Sequence, residues 1–240
     1  MAIGNVTPDS FYAASRLFNP SSGEVDGSAV VSWARGALTD GADILDIGAC
    51  STRPGSTPVS EQEEWRRLEP ALAALREALP GVPLSIDTFR PEVARRALER
   101  FGAMTVNDIS GGCDAMYDIV RTHDVPYVFT FRGDYSKLAV LDLMPDLKWI
   151  LDPGFGFCGG VEQDYECLRR MDCLRAYGRP VLAGVSRKSM LWKPLGLTPD
   201  DCLTASQVIH LETLRKGATI LRTHDVRATR DTIQLYELLK

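Results

Sequence analysis

Short apolar runs rich in β-branched residues recur along the whole chain, and each ends on polar or charged residues before a helical segment begins. The polar ends of the eight runs are Asn5, Asp46, Asp87, Asn107 with Asp108, Arg132, Asp152, Ser186 with Arg187 and Lys188, and Arg222 with His224 and Asp225. Nearly all-apolar runs of about four to six residues are typical of parallel strands buried on both faces. Eight strand–helix repeats predict an α/β protein with a (β/α)8 barrel fold, in which the active site lies at the C-terminal ends of the strands.

Periodicity and capping residues predict the helices between these runs. We expect helices from Ser28 to Asp40, from Ser60 to about Leu79, from Pro91 to Gly102, and from Pro199 to about Lys216. Two long non-helical stretches, 8–27 and 49–60, follow the first two strands. Long loops on that face of a barrel are commonly binding loops.

The fifth repeat is unusually short. Only residues 133–147 connect the fifth apolar run to the sixth, and Pro145 stands near the end of this segment. A parallel crossover needs at least roughly 10–12 residues. We therefore expect a stunted helix in the fifth β/α unit.

Size and composition narrow the class of protein. A chain of 240 residues, 45% hydrophobic and 25% charged, fits one barrel domain spanning 1–240. A net charge of −5 gives no reason to expect nucleic acid or an anionic membrane as a partner. Six cysteines without a CxxC pair and three scattered histidines argue against a zinc framework. Met1 leads directly into a strand-like run, and no apolar stretch approaches the ~20 residues of a membrane span. We expect a cytoplasmic protein.

Acids and amides at strand ends are the first candidate site. Asp87, Asn107 and Asp152 end apolar runs, and a carboxylate in an apolar pocket is costly unless it accepts strong hydrogen bonds. A nitrogen heterocycle with an exocyclic amine carries paired N–H donors, which can supply these hydrogen bonds to a carboxylate. Each residue alone could equally cap a helix or fix a turn, but three such ends favour a ligand.

Cations form the second candidate site. Arg53, Lys188, Arg222 and His224 lie at predicted strand ends or in the loops beside them, and arginine and lysine suit phosphate oxygens. Solvated charges or ion pairs are the alternative, which we favour for Arg187. The amide oxygen of Asn5 could complete the shell of a Mg²⁺ ion, which takes few protein ligands together with phosphates and water.

Seven ordered strings in this chain resemble those of the dihydropteroate synthase family. They are GNVTPDSF at 4–11, DIGACSTRPG at 46–55, SIDT at 85–88, NDISGG at 107–112, DPGFGF at 152–157, GVSRKSM at 184–190 and RTHDV at 222–226. The sequences at 161–165 and 186–196 look most like those of the family branch found in Bacteroides-type bacteria. Seven strings in order make a far more specific match than any one of them.

The resemblance implies a transferase that joins 4-aminobenzoate to 6-hydroxymethyl-7,8-dihydropterin diphosphate, giving 7,8-dihydropteroate and diphosphate in folate biosynthesis. By motif match the pterin would meet Asp87, Asn107, Asp152, Lys188 and Arg222. Diphosphate would meet Asn5, Thr52, Arg53, Arg222 and His224, with Mg²⁺ on Asn5. The 4-aminobenzoate would meet Arg53, Pro54, Phe157 and Ser186, and the catalytic set would be Asp87, Asp152, Lys188 and Arg53. A homodimer through outer helices, including residues 200–216, is implied as well.

The chain departs from the family pattern in its loops. Cys50 stands where many members have glutamate, FTFRG at 129–133 lacks a family histidine, and FCGG at 157–160 lacks a family lysine. A catalytically weakened or inactive pterin-binding paralogue, or a truncated variant, is therefore the main alternative. A methyltetrahydrofolate-type pterin methyltransferase is a further one, although it would have little use for the cationic strings.

Overall fold

All eight apolar runs form strands in the computed structural model, which describes residues 1–7, 17–19, 24–50 and 59–240. The chain divides into two units. The N-terminal unit comprises Ala2–Asp108 and Gly112–Pro126, and the C-terminal unit comprises Met1, Ile109–Gly111 and Tyr127–Lys240. The expectation of a single domain over 1–240 stays a prediction.

The N-terminal unit is built on a parallel sheet. In chain order its elements are β1 (Ala2–Asn5), β2 (Phe18–Asn19), β3 (Glu24–Val25), α1 (Gly27–Thr39), β4 (Leu45–Gly48), α2 (Glu61–Ala78), β5 (Leu84–Asp87), α3 (Pro91–Phe101), β6 (Thr105–Asp108) and α4 (Asp114–Thr122). Strands β1, β4, β5 and β6 are neighbours in that order and pair in parallel. The short strands β2 and β3 pair antiparallel within the first long non-helical stretch.

The helices of this unit begin and end where the capping residues predict. Ser60 Oγ accepts the Glu63 N–H at 3.2 Å at the start of α2. Pro91 is the first residue of α3, and Gly102 ends that helix with a φ of +78°. Several apolar residues of α2 and the strands, such as Leu68 and Ile47, are completely buried. The predicted helices are thus confirmed to within a residue or two.

The C-terminal unit also alternates strands and helices. Its elements are β7 (Pro126–Thr130), α5 (Val140–Leu143), β8 (Lys148–Asp152), α6 (Val161–Arg170), β9 (Leu182–Ala183), α7 (Ser189–Trp192), α8 (Leu203–Arg215), β10 (Ile220–Leu221) and α9 (Val226–Leu238). Strand β7 neighbours β8, a parallel bridge joins Leu151 to Val181 beside β9, and β9 pairs in parallel with β10. Turns of 3-10 helix cover Tyr135–Ala139, Met171–Tyr177 and Pro199–Asp201.

The helix predicted from Pro199 is wrong at its start. Pro199–Asp201 forms a 3-10 turn, and α8 begins only at Leu203. Cys202 lies between them with φ −97° and ψ 25°, outside helical values. The Thr198 hydroxyl donates to the Asp201 carboxylate at 2.6 Å, which stabilises the separate turn.

The stunted fifth unit is confirmed. Its crossover holds one 3-10 turn and the four-residue helix α5. Trp149 secures this segment, because its indole N–H donates to the Met144 carbonyl at 2.8 Å. The same ring packs edge-on against Tyr127 and Phe129, with centroids 5.7 and 5.5 Å away. A short crossover is therefore joined to a large aromatic core.

In the described parts of the chain, no helix is both long enough and apolar enough to cross a bilayer.

Candidate active site

Polar residues at the strand ends of the N-terminal unit form one row across the sheet. The parallel register aligns Asn5 with Gly48, Gly48 with Asp87, and Asp87 with Asn107. Gly48 leaves space for its neighbour, because a Cβ there would lie 3.4 Å from Asp87 Oδ2. The row therefore brings one carboxylate and two amides to the C-terminal edge of this sheet.

The amide of Asn107 is oriented by a buried acid. Asn107 Nδ2 donates to Asp46 Oδ2 at 3.0 Å, and both side chains are buried. Asp46 was expected at a strand end, but it is the second residue of β4. It lies two residues below the row on the same face of the sheet, since side chains alternate along a strand. Asp46 thus supports the site from beneath, and the side-chain oxygen of Asn107, Oδ1, is left as an acceptor.

A buried ion pair supports the loop after β5. The Glu64 carboxylate on α2 is completely buried and pairs with the Arg90 guanidinium, which also donates to the Val59 carbonyl. Burial raises the pKa of Glu64, and hydrogen bonding from Thr88 and the charge of Arg90 oppose that rise. Thr88 and Arg90 follow Asp87 directly, so this pair fixes the chain that leaves the row.

In the C-terminal unit, Asp152 ends β8 with only 7% of its surface exposed. Its Oδ1 accepts the Gly154 N–H at 2.9 Å, and its Oδ2 accepts the Thr130 hydroxyl at 3.2 Å. Burial raises the pKa of Asp152, while the positive charges of Lys188 and Arg222 act in the opposite direction. The carboxylate is rigidly held and has cations in its surroundings.

Lys188 lies against the loop that follows Asp152. Its ammonium donates to the Phe155 carbonyl and lies 5.0 Å from the centroid of the Phe157 ring. Burial lowers the pKa of Lys188 to about 8, against the raising effect of the Asp152 charge. An amine with this pKa exchanges its proton near neutral pH, as an acid–base group requires.

Ser186 connects the segments that follow β9 and β10. Its hydroxyl oxygen accepts the His224 N–H at 3.2 Å and the Thr223 hydroxyl at 3.4 Å. Arg222 is the first residue after β10, and its N–H donates to the Ala183 carbonyl at 3.0 Å. Ser186, Arg222 and His224 are therefore brought together by the pairing of these two strands.

Two charged strand-end residues have structural partners. Arg187 forms a two-pronged ion pair with Asp225, with N···O distances of 2.7 and 3.0 Å. This is the alternative that we favoured for Arg187 from the sequence. The Arg132 guanidinium donates twice to the Ile109 carbonyl, at 3.0 and 2.9 Å. Arg132 thereby fixes a backbone turn.

Thr52, Arg53 and Pro54 lie outside the described residues, as does most of the two long loops. Within the described ranges, no group of three or more His, Cys, Asp or Glu side chains could hold a metal ion. Asn5 offers a single amide oxygen at the end of β1. That donor set fits a Mg²⁺ ion whose other ligands are phosphate oxygens and water, because Mg²⁺ retains several waters and uses few protein ligands.

The sequence does not predict the residues that orient the Asp152 carboxylate, which are Thr130 and Gly154. It does predict Asp46 as a strand end, but not that Asp46 orients the Asn107 amide from within its strand. Thr130 could have been found as the last residue of β7. The role of Asp46 could have been found from alternation along its strand, which places it on the same face as the strand end.

Comparisons with known proteins agree along the whole chain. The family model described as "Pterin binding enzyme" matches residues 1–139 and 130–224. A dihydropteroate synthase of Synechocystis is 37% identical over 257 residues, which cover 95% of this chain and 85% of that protein.

Solved structures give the same answer. A Clostridium difficile dihydropteroate synthase, determined in the presence of pteroic acid, aligns with a TM-score of 0.86 at 31% identity over 100% of this chain and 95% of that one. A Xanthomonas albilineans dihydropteroate synthase with 4-aminobenzoic acid aligns with a TM-score of 0.87 at 32% identity, over 100% and 92%. The predicted (β/α)8 fold class is confirmed. The narrower resemblance to the Bacteroides-type branch stays a prediction.

Proposed function

The chain belongs to the family of pterin-binding enzymes, and from this membership and its site we infer that it is a dihydropteroate synthase. It joins 4-aminobenzoate to 6-hydroxymethyl-7,8-dihydropterin diphosphate, giving 7,8-dihydropteroate and diphosphate. One observation carries the assignment beyond the match. Asp152 is buried, rigidly hydrogen-bonded, and placed at the end of a barrel strand with Lys188 in its electrostatic surroundings.

We propose that the pterin is held by acids and amides. Asp87, Asn107 and Asp152 would accept from the donors of the pterin ring, and Lys188 would donate to its oxo group. Two features support this role. The Asn107 amide is pre-oriented by Asp46, and both Asp152 oxygens are fixed by donors on the protein. Preorganised acceptors of this kind lose little freedom when the ligand binds.

The reaction proposed for this site passes through a cationic methylene. The C–O bond to diphosphate breaks, and its electron pair leaves with the diphosphate. The positive charge spreads into the pterin, where the Asp87 and Asp152 carboxylates would stabilise it. The 4-aminobenzoate nitrogen then forms the C–N bond and loses a proton. The aromatic amine is a weak nucleophile, so orientation of the two substrates contributes much of the rate.

The leaving group is the diphosphate anion, which requires positively charged groups to bind it. We propose that Asn5, Thr52, Arg53, Arg222 and His224 bind the diphosphate, with Asn5 as the protein ligand of a Mg²⁺ ion. When bound, Mg²⁺ would neutralise charge on the departing diphosphate. Arg222 and His224 support this role through their position at and just after the end of β10. We assign the 4-aminobenzoate to Arg53, Pro54, Phe157 and Ser186 by motif match.

A homodimer through the outer helices α8 and α9 is also part of the proposal. Both helices expose large apolar side chains: Leu203 is 41% exposed, Val208 60%, Leu235 62% and Leu238 83%. Large exposed apolar side chains that lie together on a surface are typical of a protein–protein interface. A cytoplasmic location is consistent with the six cysteines, all of which are free thiols.

The test is diphosphate release by the purified protein with Mg²⁺, the pterin diphosphate and 4-aminobenzoate. We expect release that depends on 4-aminobenzoate and falls at least about 100-fold in Asp87→Asn, which removes a charge from the reacting site. Asp118→Asn is the matched control, because Asp118 is 76% exposed on α4. Its rate should equal that of the unmodified protein.

Two results would contradict the assignment. Calorimetric binding of the pterin diphosphate without any release of diphosphate would identify an inactive paralogue. Methyl transfer from methyltetrahydrofolate without diphosphate chemistry would identify the methyltransferase alternative.

A further inference from the structure

Asp164 is a buried acid that the proposed reaction does not use. It lies in the first turn of α6 and is 1% exposed. A buried carboxylate is costly unless it is well hydrogen-bonded. Its Oδ1 accepts the Gly156 N–H at 2.7 Å, the short distance of a charge-assisted hydrogen bond. Asp164 therefore anchors the middle of the loop that follows Asp152.

Gly156 in turn packs directly on Lys188. Its φ is +84°, and a Cβ built on it would lie 2.8 Å from Lys188 Cδ. The neighbouring residues hold the ammonium, through the Phe155 carbonyl and the face of the Phe157 ring. The Asp164 bond thus holds three consecutive residues, 155–157, around the lysine.

Asp164 also contributes charge. The charged and titratable groups that act on Lys188 are the Asp152 and Asp164 carboxylates, the Cys158 thiol and the Arg222 guanidinium. Burial lowers the pKa of Lys188, as does Arg222, whereas both carboxylates raise it. Asp152 is reserved for the pterin in the proposed mechanism. Asp164 has no role toward the pterin in that mechanism, so its charge acts on the lysine whether or not substrate is bound.

We propose that Asp164 is a positioning residue, which holds residues 155–157 on Lys188 through the Gly156 N–H and keeps the Lys188 amine protonated through its negative charge. The catalytic consequence rests on the proposed function, since the protonated amine is the donor to the pterin oxo group. The electrostatic consequence does not, because it concerns two side chains of the substrate-free protein.

The decisive variant is Asp164→Asn, which keeps an oxygen acceptor for the Gly156 N–H and removes only the charge. The readout is the Lys188 titration, followed by NMR of protein with 13C at the lysine ε carbons. The chain has six lysines, so the spectrum is simple, and Lys188→Arg identifies the signal. We expect the Lys188 pKa to fall by about half a unit, roughly a threefold change in the ratio of neutral to charged amine.

Asp172→Asn is the matched control. It makes the same charge change at an exposed position in the 3-10 turn after α6, and it should leave the Lys188 titration unchanged. An unchanged titration in Asp164→Asn would overturn the proposal, since a purely structural acid would not move it. If Asp164→Asn does not fold, Asp164→Ser also removes the charge and carries the same expectation for the Lys188 titration.

Activity separates this proposal from the function it rests on. With a working synthase, the alkaline limb of kcat/KM should move to lower pH in Asp164→Asn by the same amount as the NMR titration. Asp164→Ala loses the loop anchor as well, so its KM for the pterin diphosphate should also rise. A shifted titration in a protein that releases no diphosphate would support the role of Asp164 and refute the synthase assignment.

Discussion

The buried ion pair between Glu64 and Arg90 gives the sharpest stability prediction. The Glu64 side chain has 0% exposure and that of Arg90 has 19%. Arg90→Leu leaves a buried carboxylate without its counter-charge, which typically costs about 3–5 kcal/mol. For a domain of this size each kcal/mol lowers Tm by roughly 2–4 °C. We therefore expect Tm to fall by roughly 6–20 °C at pH 8.

The pH dependence of this loss has a definite sign. Burial already raises the pKa of Glu64, and loss of the guanidinium raises it further. A carboxyl whose pKa is higher in the folded than in the unfolded state loses stability as pH rises through the folded value. The deficit of Arg90→Leu should therefore be smaller at pH 5 than at pH 8. Urea denaturation at the two pH values measures it.

Two further variants test the cause of the loss. Glu64→Leu combined with Arg90→Leu removes both charges and should recover most of the stability. Arg95→Leu breaks ion pairs with Glu92 and Glu99 on the exposed face of α3, where the Arg95 side chain is 41% exposed. Its denaturation midpoint should stay close to that of the unmodified protein. The reasoning is refuted if the double variant is as unstable as Arg90→Leu.

Two other predictions follow from the loop after β8. Burial lowers the pKa of Lys188 to about 8. The value of kcat/KM should therefore be constant below that pH and fall about tenfold per pH unit above it, because the amine loses its proton. A kcat/KM that stays constant to about pH 10 would exclude the charged amine from the mechanism. Gly154→Ala should destabilise the protein more than Gly178→Ala in urea denaturation, and equal losses would contradict this. Both glycines have positive φ, +79° and +60°, but a Cβ at Gly154 would meet Arg132 Cα at 3.0 Å and one at Gly178 would meet nothing within 4 Å.

The sequence predicts local structure well where a single residue determines it. Ser60, Pro91 and Gly102 mark helix ends because capping and φ preference act within a few residues. The strands are equally easy to recognise in the sequence, because strands that are buried on both faces consist mainly of apolar residues. The split at Cys202 was missed because a Pro-Asp-Asp start also fits the first turn of an α-helix.

Contacts between residues that are far apart in the chain could not be predicted from the sequence. Glu64 and Arg90 are 26 positions apart, and Asp46 and Asn107 are 61 apart. Each contact depends on register and helix packing, which no local pattern encodes. The sequence did not point to Asp164 for a different reason, because Asp164 lies on a helix, whereas the predicted site residues lie at strand ends or in the loops that follow them.

Burial of the charged residues Asp152 and Lys188 in the C-terminal unit costs stability, and this cost argues that they belong to a functional site. Burial raises the pKa of Asp152 and lowers that of Lys188, so burial disfavours the charged form of both groups. A protein in which buried charged groups are replaced by apolar residues of similar volume is often as stable as the original or more stable. Hydrogen bonds from Thr130 and Gly154 hold Asp152 in this unfavourable place. A fold that had only to be stable would have no need of these charges, whereas a site that must stabilise a cationic pterin requires a fixed carboxylate.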